Sequence, residues 1–537
     1  MLALILVGVY DAGYLTIERY RDVIPPCSTS VFADCGRVLQ SDYAVLFGVP
    51  LALLGLIHYV VLGFVFVVVL LFTRYKNVIV SRIRPSAETT KQSQILMASI
   101  LTYWLLIQTM GGLLFSLYLV YLQLFVIHAI CLYCMLSALV STLLFVLTQL
   151  HFFRERKMVF VTIFGFVYRS VIKPILFLMD PEFVHLLMIR FGELIGQAPP
   201  IQVTTRYLTT YDQPMLTQHI EGIAFGHPVG LAAGFDYEGW LTQTLAPWGF
   251  GWQTVGTITN SAYEGNARPM LGRLPQSRSL MVNKGFKNRG SDATISKLGE
   301  LKHHTDLGGL CDSIPYGISI GRTNSLTLAT QKESVADIVS AFTKFEQSPL
   351  SHAYYELNIS CPNLKGDIEF YTPTHLEELL IAIESLNIKR PIFVKMPIEK
   401  SDTEVASMLA VVARHSPTGV IFGNLQKDRS HPSLVPGEVA KYPKGNFSGK
   451  PTFQRSNELI KLAYREYKGR LVIIGCGGIF SAEDAYIKIK LGASLLQLIT
   501  GMIYEGPQLI AQINMGLDAL LQKDGYKNIA EAVGRDT

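Results

Sequence analysis

From Tyr43 to Phe72 the chain runs for thirty residues without an Asp, Glu, Lys or Arg. About 20 apolar residues suffice for a helix to cross a bilayer, so this run commits part of the protein to a membrane. Ile95–Leu119 and Cys131–Leu150 repeat the pattern. Leu2–Thr16 is apolar but shorter, and it lacks the basic stretch and small-residue cleavage site of a secretory signal, so a first transmembrane helix is expected there. Beyond residue 150 the composition becomes that of an ordinary globular protein. The 49% hydrophobic content and mean hydropathy of +0.30 thus average a membrane domain with a soluble one. The net charge is +5, and no Lys/Arg-dense stripe interleaved with aromatics occurs, so no nucleic-acid partner is expected, and no metal.

Loop charges set the orientation. The stretch from Arg74 to Lys91 carries Arg74, Lys76, Arg82, Arg84 and Lys91 against Glu88, and the fourth span is followed by Arg154, Glu155, Arg156 and Lys157. Both stretches belong on the cytoplasmic side by the positive-inside rule. The loop with Cys27 and Cys35 holds Asp22, Asp34 and Asp42 and belongs outside. Four spans then leave everything after residue 150 in the cytoplasm.

The seven cysteines divide into Cys27, Cys35, Cys131 and Cys134 in the membrane part and Cys311, Cys361 and Cys476 beyond it. This topology puts Cys131 and Cys134, in the string ICLYC, at the outer start of the fourth helix. Two thiols three positions apart at a helix N-terminus form a small redox couple whose thiolate the helix favours. A loop-borne pair, Cys27 and Cys35, can pass electrons to it by thiol–disulfide exchange. The competing reading is four structural or inert cysteines, because spacing by itself leaves pairing and role open.

The strings CSTSVFADCGRVLQSDYAVLFGVPLALLGLIHY and HAICLYC resemble the vitamin K epoxide reductase family over roughly residues 5–150. The resemblance implies that Cys131 and Cys134 reduce a bound quinone while Cys27 and Cys35 relay electrons from protein thiols. No thioredoxin-like partner is fused on the outer side, so the donor is expected to be another protein.

Residues Phe160 to Gly196 form two short apolar, partly basic stretches around Met179-Asp180-Pro181. An amphipathic pair lying on the membrane surface fits them. The rival is a fifth span near Val159–Leu178, against which Arg169 and Lys173 argue, since an ion in the bilayer is costly.

From residue 228 onward short β-rich runs alternate with helical patterns: GLAAGF at 230, TVGTIT at 254, YGISIG at 316, YYELNIS at 354, PIFVKM at 391, GVIFGN at 419, LVIIGCGG at 471 and LLQLITG at 495. Eight such units predict a TIM barrel, with its chemistry at the C-terminal strand ends. Gly477, Gly478 and Thr500 follow the last two runs, where barrels bind phosphate. Lys395 is a lone cation on an apolar strand, and its burial calls for an anionic or electron-rich partner such as a flavin ring. Asn358, Asn363 and Asn424 offer the donors and acceptors to read a planar heterocycle, and Cys361 between the first two is a candidate general base needing modest tuning of its pKa. A buried structural thiol is the alternative for Cys361, and ordinary tight turns for the glycines.

GHPVGLAAGFD, GTIT, RPMLGRLPQSRSLMVNKGF, LNISCPN, FVKMP, FSGKP and IIGCGGIFSAEDAYIKIKLGASLLQLITGMIYEGP together resemble dihydroorotate dehydrogenase. The string YRSVIKPILFLMDPEFVHLLMIRFGELIG resembles the membrane-docking helical hairpin of its class 2, quinone-linked members. The resemblance implies FMN held by Ala233, Gly234, Thr257, Asn358, Lys395, Gly449, Gly477, Gly478 and Thr500. It also implies a pyrimidine held by Asn358, Asn363, Asn424, Gly285 and Phe286, with Cys361 as base. Three positions depart from the family pattern: Cys361 where quinone-linked members carry serine, Tyr237 where a lysine is usual, and Val282 where an asparagine is expected, with Asn283 one place later.

The expectation is therefore a multi-domain membrane protein. An all-α four-helix transmembrane bundle over residues 1–157 precedes a docking connector over 158–200 and an FMN-binding (β/α)8 barrel over 201–537. It would sit in the inner cell membrane with the barrel cytoplasmic and the cysteine pairs outside, oxidising dihydroorotate with quinone as acceptor. The alternative is an FMN enzyme acting on another reduced ring, with a non-catalytic membrane anchor.

Overall fold

The computed structural model describes residues 1–27, 34–79, 88–306, 314–364 and 369–537; Arg82, Arg84 and Cys311 lie outside them. Two compact units result, Met1–Phe166 and Val167–Thr537.

The first unit is a bundle of helices α1 (Leu2–Tyr20), α2 (Cys35–Leu39), α3 (Leu51–Ile79), α4 (Glu88–Tyr121) and α5 (Leu132–Val167). Small residues let the long helices approach: a side chain at Gly8 would strike the ring of Tyr59, and one at Gly112 would lie 2.9 Å from His58 Nε2. Tyr59 then reaches α5, where its hydroxyl bonds Ser137 O at 3.0 Å and Ser141 Oγ at 3.0 Å. Ile5, Ala12, Tyr59, Val140 and Leu144 form the core of this contact.

Four segments are long and apolar enough to cross a membrane: Leu51–Leu71, Tyr103–Ile127, Leu132–Leu150 and Lys157–Leu178. The set differs from the sequence expectation at both ends. Helix α1 is absent from it because Asp11, Glu18 and Arg19 interrupt its apolar run, yet α1 buries Ile5, Ala12 and Leu15 inside the bundle. Lys157–Leu178 joins the set by composition, but its last third, α6 (Lys173–Leu178), lies in the second unit with the turn before it. There Tyr168 donates to Ile503 O at 2.9 Å, Arg169 pairs with Glu505 at 3.6 Å, and Phe177 stands edge-on to Tyr504.

The chain breaks where the Met179-Asp180-Pro181 signal predicts. Asp180 caps α7 (Pro181–Gly196), accepting from the N–H groups of Glu182 and Phe183, and Pro181 occupies its first turn. Helix α7 buries Val184, Ile189 and Ile195 and exposes Phe183, Leu186, Phe191 and Leu194, the two-faced pattern of a surface-lying helix.

The rest is a closed eight-stranded parallel barrel: β1 Val229–Leu231, β2 Trp252–Ile258, β3 Tyr316–Ile320, β4 Tyr354–Asn358, β5 Ile392–Met396, β6 Gly419–Phe422, β7 Val472–Cys476 and β8 Leu495–Leu498. All eight match the predicted runs. Large inward rings pack over glycines: a side chain at Gly230 would strike Trp252, and one at Gly317 would strike Tyr354. With Phe225, Phe393, Ile421, Ile474 and Leu495 these rings fill the barrel as a solid core. A three-stranded sheet (Leu271–Leu274, Ser279–Val282 and Asn446–Phe447) grows from the loops leaving β2 and β6 and walls the C-terminal end.

Candidate active sites

In the barrel, side chains alternate between inside and outside, so Tyr354, Glu356 and Asn358 share the inner face of β4. Asn358 lies in register with Lys395 on β5. Lys395 does find an anion, but a protein one: Glu356 stands 3.5 Å away, and both are buried. From this pair a polar chain runs outward. Ser319 Oγ donates to Glu356 Oε1 at 2.9 Å, Thr257 and Ser319 hydroxyls meet at 2.9 Å, and Asn358 Nδ2 donates to Thr257 Oγ1 at 2.8 Å. Gln497 on β8 closes the network from the far side, at 3.3 Å from Glu356 Oε2. Glu356, Ser319 and Gln497 escaped the sequence reading, although Glu356 carries the same period-2 signal as Asn358.

The glycine and threonine positions come together at one corner. Gly449, Gly477 and Gly478 all take left-handed φ values of +79°, +94° and +73°. A side chain at Gly449 would meet Thr500 Cγ2 at 2.7 Å, and one at Gly477 would strike Thr452. Ser448 and Thr500 hydroxyls lie 2.8 Å apart. Backbone that only glycine can follow, beside two hydroxyls, has the donor chemistry of a phosphate cradle. Ala233 and Gly234 follow β1, and Gly234 N–H is anchored on Gly256 O at 2.7 Å. The donors of this corner suit the phosphate of a cofactor such as FMN.

The three predicted asparagines occupy one mouth. Asn358 Oδ1 accepts from Ser360 Oγ at 3.0 Å, and Asn424 Nδ2 donates to Ser360 O at 2.7 Å. Asn363 donates to Val282 O at 3.1 Å and accepts from Asn446 Nδ2 at 2.8 Å, while its carbonyl takes Asn266 Nδ2 at 2.9 Å. Asn283 accepts from Asn266 at 3.2 Å, so the asparagine displaced by one position still joins the cluster. Gly285 and Phe286 both have φ of +64°, and Gly285 O accepts from Asn324 Nδ2 at 3.0 Å. Asn266 and Asn324 come from two separate loops and Asn446 from the short strand Asn446–Phe447, and none of them was singled out from the sequence.

Cys361 is partly exposed at the edge of this cluster. Desolvation pushes its thiol up to about 12, against the pull of the Asn363 N–H, Lys427 and Lys395. That is far more than modest tuning. Tyr237 lies close by, its phenol also pushed up by burial and by Cys361. Across its ring, 4.6 Å from the centroid, stands Lys284 Nζ.

In the first unit Cys27 and Cys35 form a disulfide with Cα atoms 5.7 Å apart, while Cys131 and Cys134 are free thiols. Cys27, Cys35, Ala129 and Cys131 share one buried cluster, with Cys134 and Tyr133 packed against it. The loop is tied there by Asp34 N–H to Ile130 O at 3.1 Å, and Cys131 N–H donates to Gln123 Oε1 at 2.8 Å. A cavity of about 540 Å³ opens beside Cys134, lined among others by Asp11, His58, Tyr59, Gln108 and Ser137.

The dihydroorotate dehydrogenase family model matches residues 215–521, and the vitamin K epoxide reductase family model matches residues 1–149. A protein named Dihydroorotate dehydrogenase (quinone) from Cyanothece sp. is 33% identical over 378 residues, which is 68% of this chain and 98% of the relative. Another of that name from Synechococcus sp. is 36% identical over 380 residues, with the same coverage. A crystal structure of DHODH from Eimeria tenella in complex with ferulenol superposes with a TM-score of 0.59 at 27% identity, covering 66% of this chain and 96% of that one. The chain therefore belongs to the dihydroorotate dehydrogenase family and carries ahead of that domain one of the vitamin K epoxide reductase family, which makes it an oxidoreductase in both parts.

Proposed function

We propose that the barrel oxidises dihydroorotate to orotate with membrane quinone as acceptor, and that the bundle reduces quinone with electrons from thiols. The observation that carries the first half is the meeting of the glycine corner, the Lys395–Glu356 pair and the asparagine mouth at one end of the barrel. Relatives named Dihydroorotate dehydrogenase (quinone), matched over nearly their whole length, support the same reaction.

Bound FMN would supply the two-electron acceptor between the dihydropyrimidine and quinone. Gly449, Gly477, Gly478 and Thr500 hold its phosphate. Ala233, Gly234, Thr257, Asn358 and Lys395 surround the ring. Asn358, Asn363, Asn424, Gly285 and Phe286 hold the pyrimidine, and Cys361 takes the proton from the carbon next to the one that loses hydride. The exposed apolar face of α7, with Phe183, Leu186, Phe191 and Leu194, docks on the bilayer where quinone resides.

In the bundle, Cys131 and Cys134 carry two electrons and two protons to quinone at the adjoining cavity and become a disulfide. Exchange with Cys27 and Cys35 regenerates the dithiol, and a thiol-bearing protein on the outer side supplies the electrons. Burial of both pairs in one cluster supports this relay. The working division is a bundle over 1–157, a docking connector over 158–200 and a barrel over 201–537, with the barrel cytoplasmic and the cysteine pairs outside. Purified protein in membrane vesicles, given dihydroorotate and a ubiquinone analogue, should reduce the quinone. No reduction despite bound FMN rejects the substrate assignment.

Tyr237, beside Cys361, and Val282, whose carbonyl accepts from Asn363, depart from the family pattern and favour a second reading in which the barrel acts on a different reduced ring. A substrate screen that follows flavin bleaching separates the two.

A further inference from the structure

Two other buried lysines of the barrel unit sit against oxygen atoms of the protein. Lys395 has Glu356, and Lys488 Nζ donates to Ser456 Oγ and Asn457 Oδ1, each at 2.9 Å. Lys284 differs. It is 7% exposed, and among the described residues no carboxylate lies within ion-pair distance of it. Its polar neighbour is His185 Nδ1 at 3.4 Å, and its remaining contact is the face of Tyr237.

The histidine fixes the direction of that bond. His185 Nε2 lies 2.8 Å from Phe235 O, and a carbonyl can only accept, so Nε2 carries the proton and Nδ1 offers its lone pair. Lys284 therefore donates one N–H to His185 and turns a second to the Tyr237 ring. An ammonium has three donors, and among the described residues no hydrogen-bond partner answers the third. Glu182, the nearest acid to influence it, is engaged by Arg268 at 3.3 Å and by Met270 N–H at 2.8 Å, while Lys287 opposes the charge. Burial pushes Lys284 down to about 7, the expected response of a cation lacking an anion.

Its place in the chain puts it beside the mouth. Lys284 sits between Asn283, bonded to Asn266, and Gly285, bonded to Asn324, and both partners also contact the Asn363 carbonyl. The Tyr237 ring it covers neighbours Cys361.

We propose that Lys284 is a substrate-binding residue whose unanswered N–H takes the carboxylate of the dihydropyrimidine, so that it selects carboxylated rings over bare ones. This role rests on the dihydroorotate reading of the barrel. Tyr237 and His185 act as its positioning residues, holding the ammonium without neutralising it. A charge-assisted hydrogen bond in such a site is worth a factor of about 10 to 100 in affinity.

The test uses the full-length, FMN-loaded protein in detergent, titrated with orotate and with uracil while the flavin absorbance is followed. Wild type should bind orotate more tightly than uracil. Lys284→Met should weaken orotate about 10- to 100-fold and leave uracil unchanged, with the flavin content intact. If the Met variant loses FMN, Lys284→Gln gives the same comparison. An FMN-retaining variant that binds orotate like wild type overturns the proposal. So does one that shifts the flavin midpoint potential but not orotate affinity, because the ammonium would then serve the flavin. Wild type that holds FMN but responds to neither ligand rejects the dihydroorotate reading itself, and this role with it.

Discussion

Glu356 and Lys395 face each other at 3.5 Å across adjacent barrel strands, both shut away from solvent, so the buried cation is matched by a carboxylate of the protein itself. Removing one member of a buried pair leaves the other uncompensated, at a typical cost of about 3–5 kcal/mol. Glu356→Gln should lower barrel stability by that order, measured by denaturant unfolding through the fluorescence of Trp252, which is buried in the same interior. Combining it with Lys395→Met should recover part of the loss, since the two effects are coupled. Additive losses in the double variant would show that the pair is not the stabilising unit.

Cys361 makes a pH prediction. Only the thiolate accepts a proton, and burial pushes this thiol up to about 12. Below that value the thiolate fraction grows tenfold per pH unit, so flavin reduction by dihydroorotate should climb steadily through neutral and mildly alkaline pH. Stopped-flow rates that level off near pH 7 would contradict it. Cys361→Ala should slow the same step by about 100- to 10,000-fold, the usual worth of a general base.

His185 ties α7 to the barrel as a neutral ring, its pKa lowered to about 3 by burial and by Lys284. The unfolded value is about 6.5, so between 3 and 6.5 the unfolded state binds more protons. Stability rises with pH across that window and is lost as pH falls through it. Lys284, lowered to about 7, adds its own gain only above that value. Hydrogen exchange of Pro181–Gly196, corrected for intrinsic rates, should therefore be faster at pH 5 than at pH 7, and His185→Phe should flatten the difference.

In the bundle, Cys134→Ala should abolish quinone-dependent disulfide formation and leave Cys27 and Cys35 reduced after a pulse of thiol donor, because their electrons then have no outlet. Thiol trapping reads both outcomes. Retained quinone-dependent activity would refute the relay, because Cys134 is the cysteine that lines the cavity.

The local signals determined a great deal by themselves. Hydropathy marked the membrane part, short β-rich runs marked all eight barrel strands, and Asp180-Pro181 marked the start of α7. Glycines at the ends of the last two runs pointed to the corner of Gly477, Gly478 and Thr500, and the positive φ of Gly477 and Gly478 agrees with them. Each signal depends on residues within a few positions of one another, which is why it can be read without the fold. What only the tertiary structure decided was who faces whom. Pairing of β4 with β5 puts Glu356 against Lys395, thirty-nine positions along the chain, and the fold brings Asn266 and Asn324 from two loops and Asn446 from a short strand to Asn363. Tyr237 and Lys284 meet in the same way. Hydropathy placed α1 in the bundle and the charges Arg169 and Lys173 spoke against a span at 159–178, but that Glu505 and Tyr504 hold the end of Lys157–Leu178 is a matter of tertiary contact. Charge compensation and helix packing act through space, and no pattern along the chain records which distant partner will supply them.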